Sequence, residues 1–434
     1  MDDKYLKTHE YVLNKWKDGL RDKSNPEYPL PFPFEPPCVN GLFQCLFYWD
    51  TFYTNHGMLL DGKTQYAKWN VDNLIYMLNK YGFVPNSNSY PGIKFNSQPP
   101  YLHFMVADLY EITKDDEWLK EAYIALKKEY DFWMKERITP CGLNRHFHNP
   151  LMEDDVVGYY DYVSTRLAID KDASREVKIR LGHGFNAQAE SGLDFSPRLG
   201  FEGENICPVD LNANLYGFEC DLARYAKKFE PEMEEEFVKA KEKRKALMDK
   251  FMYNKNDGLY YDYNYVKDEI AQTEFNYTAQ FMPFITGISK DVKAAKYLLS
   301  KVEFEGGIAA SSPYSINLSY QAAYPFSWPY DNALAFWALT TLGLKEEYTR
   351  IGFKYLNQCA DSFIETGHLW ETYDALTGKV AVKKEYSNGE MLGWTGGTYQ
   401  WIYYYLFENK ILEQFVNRSV NEIQRFKITN TRKS

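Results

Sequence analysis

Apolar residues recur at intervals of three and four along nearly the whole chain, the period of helices that each bury one face. The pattern is clearest over 117–138, where Trp118, Ala122, Ile124, Leu126, Tyr130, Phe132 and Trp133 fall largely on one side, with Lys and Glu elsewhere. A second helical segment, 101–112, precedes it across the turn Thr113-Lys-Asp-Asp116, so the two form a helical hairpin. The same period predicts helices over 5–20, 51–60, 66–81, 209–228, 232–253, 276–287, 291–301, 331–342, 346–363 and 394–408. That makes about twelve helices, mostly in pairs punctuated by Gly or Pro. An all-α fold follows, either an α-solenoid or a closed ring of helical hairpins, and the lack of a fixed-length repeat counts against the solenoid.

The stretch 138–205 breaks the pattern. It is rich in Tyr, Arg, Gly and His and long for a connection, which predicts a long active-site loop or lid. No Gly/Ser/Pro-rich linker, charge block or low-complexity tract divides the 434 residues, so 1–434 reads as a single domain.

Composition narrows the partners. Apolar residues make up 45 %, ample for a large core, and the 17 % aromatic fraction includes 37 Tyr and 10 Trp. Most of these rings fill the core, and the remainder are a stock of sugar-stacking surfaces. The net charge of −10 is interspersed, leaving no basic footprint for nucleic acid or anionic membrane, so a small neutral ligand fits best. The basic run Lys239-Ala-Lys-Glu-Lys-Arg-Lys245 reads as a solvated helix face. Six scattered cysteines without a CxxC pair suit free thiols in a reducing compartment. No basic start followed by an apolar run is present, and no stretch approaches about 18 apolar residues, so a cytoplasmic chain is expected. His146 and His148 are isolated, with no HExxH and no acidic calcium loop, and neither metal nor cofactor is expected.

Two carboxylates sit in unusual settings: Asp194 in Glu190-Ser-Gly-Leu-Asp194-Phe-Ser-Pro-Arg198, and Glu371 in Leu369-Trp-Glu371-Thr-Tyr-Asp374. Hydrolysis of a glycosidic bond needs one acid to protonate the leaving oxygen and one base to activate water. Both lie among aromatic and small residues, where desolvation can tune a carboxyl group. The alternative is that they cap helices or pair with Arg198.

Six blocks in a fixed order resemble the trehalase family, glycoside hydrolase family 37, and its relatives in family 63. They are Phe47-Tyr48-Trp49-Asp50-Thr-Phe-Tyr53, Tyr81-Gly-Phe-Val-Pro-Asn86-Ser-Asn88, Ser97-Gln98-Pro-Pro-Tyr101, Glu190 to Ser196, Pro208-Val-Asp-Leu-Asn212, and Glu371-Thr-Tyr-Asp374 followed by Glu385-Tyr386 and Gly393-Trp394-Thr395. The resemblance implies an (α/α)6 barrel with the site at one mouth and an inverting mechanism. It makes Asp194 the general acid and Glu371 the general base, with carboxyl groups roughly 6.5–9.5 Å apart to admit a water. It implies that Trp49 stacks on the sugar, that Asp50 and Gln98 bind its hydroxyls with Asn86 nearby, and that Glu385 is a further sugar-contacting carboxylate. Asn86 could equally form an Asx turn, Gln98 cap the next helix and Glu385 make a surface ion pair.

Departures from the family concern the leaving sugar. Leu42 and Asn96 stand where the family has arginines, and Arg166, Arg175 and Arg180 are loose counterparts of a further arginine block. A glycine-rich insert before the family's Glu-Tyr is replaced by Leu376 to Lys384, and Glu371-Thr-Tyr-Asp-Ala-Leu-Thr-Gly378 looks like the family 63 version. The aromatic run Tyr324 to Asn332, with Trp328, suggests a different aglycone wall. The expected activity is hydrolysis of trehalose or another small α-glucoside. The enzymatic alternative is a mannosylglycerate or glucosylglycerate hydrolase, which needs a cation, Arg198 or one of the lid arginines, for the carboxylate. From another class, the alternative is a sugar-binding barrel without catalysis.

Overall fold

Helices that are apolar all round belong in an interior, whereas one apolar stripe marks a helix with a solvent face. Both kinds occur here. The computed structural model describes residues 2–22, 27–315, 320–383 and 387–410. Six helices with a single buried stripe lie outside: α1 (Asp3–Gly19), α3 (Thr64–Tyr81), α6 (Asp116–Glu136), α10 (Glu234–Phe251), α12 (Val292–Val302) and α14 (Lys345–Thr366). Inside stand α2 (Tyr48–Leu60), α5 (Leu102–Thr113), α9 (Val209–Phe229), a 3-10 turn over Thr278–Phe281 that continues as α11 (Met282–Ile285), α13 (Pro329–Thr341) and α15 (Gly393–Tyr403), buried over most of their circumference.

Each inner helix touches the next in the order α2, α5, α9, α11, α13, α15, and α15 packs back on α2. This is a closed (α/α)6 barrel with one hairpin per sector. Closure relies on two glycines. A Cβ on Gly397 of α15 would lie 2.1 Å from the Tyr53 carbonyl oxygen of α2, and one on Gly57 would lie 2.5 Å from Gly397 Cα, so the two backbones meet without side chains between them. Local signals set the ends of the outer helices: Asp115 accepts from Trp118 N at 3.0 Å, Asp291 accepts from Lys293 N and Ala294 N, and α3 and α14 stop at left-handed Gly82 and Gly367.

The stretch 138–205 is not the long loop that its composition suggests. It contains α7 (Glu153–Leu167) and α8 (Arg175–Glu190), an extra hairpin between α6 and α9. The Ser174 hydroxyl caps α8, and the hairpin buries a separate small core of Tyr160, Val163, Leu167, Phe185 and Phe195. Glycines at 158, 182 and 184 hide the helical period, yet Gly182 is where α8 meets the Val156 carbonyl of α7. The 276–287 helix is shorter than its period suggests, being one 3-10 turn and one α turn. A one-turn helix, α4 (Gly92–Phe95), lies between α3 and α5. Strands are short. One antiparallel ribbon, pairing Phe326 with Asp374 and Ser327 with Tyr373, ties the segment before α13 to the loop that carries Glu371.

Candidate active site

The N-terminal ends of α2, α13 and α15 open into one cavity of about 920 Å³. Helix N-termini present unpaired N–H groups and a partial positive charge to whatever binds there. Trp49 and Asp50 come from the first turn of α2 with Phe47 just before it, and Trp394 comes from the first turn of α15. Asn86 and Gln98 flank α4, Trp328 and Tyr330 stand at the entry to α13, and Asp194 and Glu371 come from the loops leading to α9 and α15. In the ring order, α9 and α15 are opposite one another, so the two carboxylates enter the cavity from facing loops.

The floor is aromatic. Trp49 packs with its ring centroid 4.9 Å from Tyr330 and 6.0 Å from Trp394, and Trp328 stacks on Tyr330 at 5.9 Å. The Trp49 backbone N–H donates to Gln98 Oε1 at 3.1 Å, which turns the Gln98 amide group toward the cavity it lines. The Asp50 carboxyl is pushed up to about 7, first by burial, which outweighs its backbone hydrogen bond, and then by the charges of Glu371 and Asp194. It is therefore able to donate as well as accept near neutral pH.

The acid loop is built from behind. Glu190, wholly buried, accepts from Arg137 Nε at 2.8 Å and Nη2 at 2.7 Å, and from the backbone N–H groups of Ser97 and Phe147 at 3.1 Å each. Burial opposes its charge, but Arg137 and His146 hold the carboxyl down to about 2. This one carboxylate joins the end of α8 to the Gln98 loop. Gly192 then turns left-handed at φ +72° against Trp49, where a Cβ would fall 2.7 Å from the ring. Asp194 follows, its carboxylate accepting from Arg166 Nη1 at 3.0 Å and its carbonyl from Arg166 Nη2 at 3.3 Å and from the Gln321 amide. Across the cavity Glu371, 3 % exposed, is ion-paired with the buried Lys383.

The structure brings together Asp194, Glu371, Trp49, Asp50, Asn86, Gln98, Phe47, Trp328 and Trp394, all on the cavity wall. Two expected residues belong elsewhere. Tyr48 is fully buried on the other side of α2, where its hydroxyl donates to Glu129 Oε1 at 2.5 Å and accepts from Leu102 N at 3.0 Å. Arg198, 3 % exposed, is enclosed between Asp262, at 2.6 and 2.8 Å, and Asp210, at 2.5 and 3.1 Å, with its face over Tyr277. Its guanidinium is spent on structure. Glu385 lies outside the described residues.

At the arginine-replacing positions, Leu42 is 45 % exposed on the rim, and Asn96 donates to the carbonyls of Phe147 and Asn186 at 3.2 and 3.0 Å. Of the loose counterparts only Arg166 lines the cavity, while Arg175 pairs with Glu153 and Asp154 on the surface. Lys383, Gln321, Arg137 and the α7 rings Tyr159 and Tyr162 complete the surroundings and were not legible as site residues. Their partners lie far away in sequence, and only the aromatic excess hinted at the rings. His148 pairs with His183 at 2.7 Å away from the cavity wall. Among the described residues no group of three or more His, Cys, Asp or Glu is placed to hold a metal ion.

A helical barrel whose mouth holds a sugar-sized aromatic cavity with carboxylates entering from facing loops defines a glycoside hydrolase of the (α/α)6 class. The trehalase family model matches residues 3–405, and the chain belongs to the trehalase family. It is 25 % identical over 403 residues to the trehalase of Bombyx mori, covering 85 % of this chain and 68 % of that protein. It is 27 % identical over 421 residues to the periplasmic trehalase of Xanthomonas oryzae pv. oryzae, covering 89 % and 71 %. Among solved structures the neutral trehalase Nth1 of Saccharomyces cerevisiae superposes with a TM-score of 0.72 at 23 % identity, over 92 % of this chain and 80 % of that one. A GH63 mannosylglycerate hydrolase of Thermus thermophilus in complex with glucose superposes with a TM-score of 0.60 at 17 % identity, over 91 % and 99 %.

Proposed function

We propose that this chain hydrolyses α,α-trehalose with inversion at the attacked carbon, Asp194 acting as general acid and Glu371 as general base. The observation that carries the reading is the pair of carboxylates presented from facing loops into one aromatic-floored cavity. On this reading Trp49 stacks on the glucose being cleaved, and Asp50, Gln98 and Asn86 bind its hydroxyls. Glu371 takes a proton from water as the water oxygen attacks the anomeric carbon, and Asp194 gives its proton to the departing oxygen.

Charge supports the role of Glu371. Lys383 favours the ionised form that a base needs. On the facing loop Arg166 holds the Asp194 carboxylate in place at 3.0 Å. A glycerate aglycone is less well supported, because of the cations it could use Arg198 is enclosed by Asp210 and Asp262, and Arg166 on the cavity wall is paired with Asp194. Retention of both carboxylates disfavours a binding-only barrel. A cytoplasmic setting is supported by six cysteines that form no disulfide among the described residues, although a periplasmic relative has the same family membership. Among the described residues, no helix is long and apolar enough to cross a membrane.

The test is turnover of trehalose beside kojibiose, nigerose, maltose, isomaltose, glucosylglycerate and mannosylglycerate by wild type, Asp194→Asn and Glu371→Gln. Trehalose is expected to be preferred, and each variant to lose at least about a hundredfold in turnover with an unchanged melting temperature. Full activity in a folded variant would remove that carboxylate from the mechanism, and preference for a glycerate substrate would replace trehalose.

A further inference from the structure

Glu371 sits in a hairpin rather than on a helix, and the opposite arm of that hairpin is the segment that replaces the family's glycine-rich insert. The arms are held in register by Asp374 N to Lys379 O at 2.8 Å and Ala381 N to Thr372 O at 3.0 Å. Asn388 fastens them from the side, accepting from Thr372 N at 3.2 Å and donating to Thr372 O at 2.7 Å and Ala381 O at 3.1 Å. This register delivers Lys383 to Glu371. The two side chains are 1 % and 4 % exposed, and the ammonium lies 5.0 Å from the centre of the Trp328 ring. Glu371 lines the cavity and Lys383 does not, so the lysine reaches the reaction only through its carboxylate partner.

We propose that Lys383 is a positioning residue that keeps Glu371 ionised and aimed at the attacking water. The proposal rests on Glu371 being the base. Burial favours the protonated form of a carboxyl group, and a protonated carboxyl cannot accept a proton from water. The acidic groups around Glu371 push the same way. Asp50 approaches from α2, and Cys38 comes from the segment before α2, its thiol pushed up to about 12 by burial and then by the charges of Glu371, Glu390 and Asp50. Glu390 forms an isolated antiparallel bridge with Trp370 and meets His368 at 3.2 Å. Asp194 and Arg166 stand across the cavity. Among these described groups, Lys383 is the cation in contact with Glu371.

The test is the pH dependence of kcat/KM for wild type, Lys383→Met, Lys383→Arg and Glu371→Gln, with trehalose and with α-glucosyl fluoride. The fluoride leaves without much protonation and so reports the base separately from Asp194. In Lys383→Met the acidic limb should move up by about one pH unit, with kcat near pH 6 down about tenfold. Lys383→Arg should return the limb to within about 0.3 unit of wild type. A folded Lys383→Met with an unmoved limb, whether or not kcat falls, would overturn the proposal and leave the lysine a packing role. Should Lys383→Met not fold, Lys383→Gln gives the same reading. Wild-type turnover of the fluoride by Glu371→Gln would instead overturn the base assignment itself, a different failure from an unmoved limb.

Discussion

Single residues show why adjacency in sequence is a weak guide to a site. Trp49 and Tyr48 are neighbours in one motif, yet consecutive helical positions differ by about 100° around the axis, so one faces the cavity and the other Glu129. Arg198 stands four residues from Asp194, but its partners are 12 and 64 residues away and invisible to local reading. Residues whose type and setting imply a task, such as the two embedded carboxylates, were legible. Gly192→Ala is expected to cost about 1–3 kcal/mol, because it adds a left-handed alanine and drives its Cβ into the Trp49 ring. Thermal unfolding and kcat/KM together check this, with turnover falling at least tenfold if the ring is the sugar platform. Glu129 yields a pH prediction. Burial pushes its carboxyl up to about 8 against the Tyr48 and Trp133 hydrogen bonds, so the stability it contributes is present below the ordinary 4.5 and is lost as pH rises toward about 8. Urea unfolding of Glu129→Gln should show a shallower loss between pH 5 and pH 8 than wild type, by roughly 2 kcal/mol or more across the interval.

At the scale of elements, the helical period located every barrel helix, since a buried face repeats each 3.6 residues whatever the helix packs against. It failed over α7 and α8, where glycines needed for the close approach of the two helices interrupt the apolar stripe. The hairpin between Glu371 and Lys383 was also hidden, because strand register depends on contacts such as Asn388 with Thr372 that no local pattern encodes. Helix-to-helix closure gives a sharp test on two adjacent glycines. Gly397→Ala places a methyl against the Tyr53 carbonyl, which is backbone and cannot move aside, and should destabilise by about 1–3 kcal/mol or more. Gly396→Ala meets only the Val12 and Leu392 side chains and gains helix propensity, so its unfolding midpoint should stay within about 1 kcal/mol of wild type. Equal effects of the two would contradict the backbone-to-backbone contact between α2 and α15.

For the whole molecule, six hairpins closed on themselves place the ends of three inner helices, with facing carboxylate loops, around one mouth. That arrangement was legible as a ring of hairpins, and the ordered motifs along it carried the family. Substrate choice was not, because Leu42 and Asn96 remove the familiar arginines while Arg166 arrives on an extra hairpin that the sequence concealed. The central claim is inverting cleavage of trehalose between Asp194 and Glu371. The most direct measurement is proton NMR of the first products from α,α-trehalose, recorded before the sugars mutarotate. Equal amounts of α-glucose, from the leaving sugar, and β-glucose, from the attacked one, are the predicted result. Only α-glucose, or no glucose from trehalose, would contradict it.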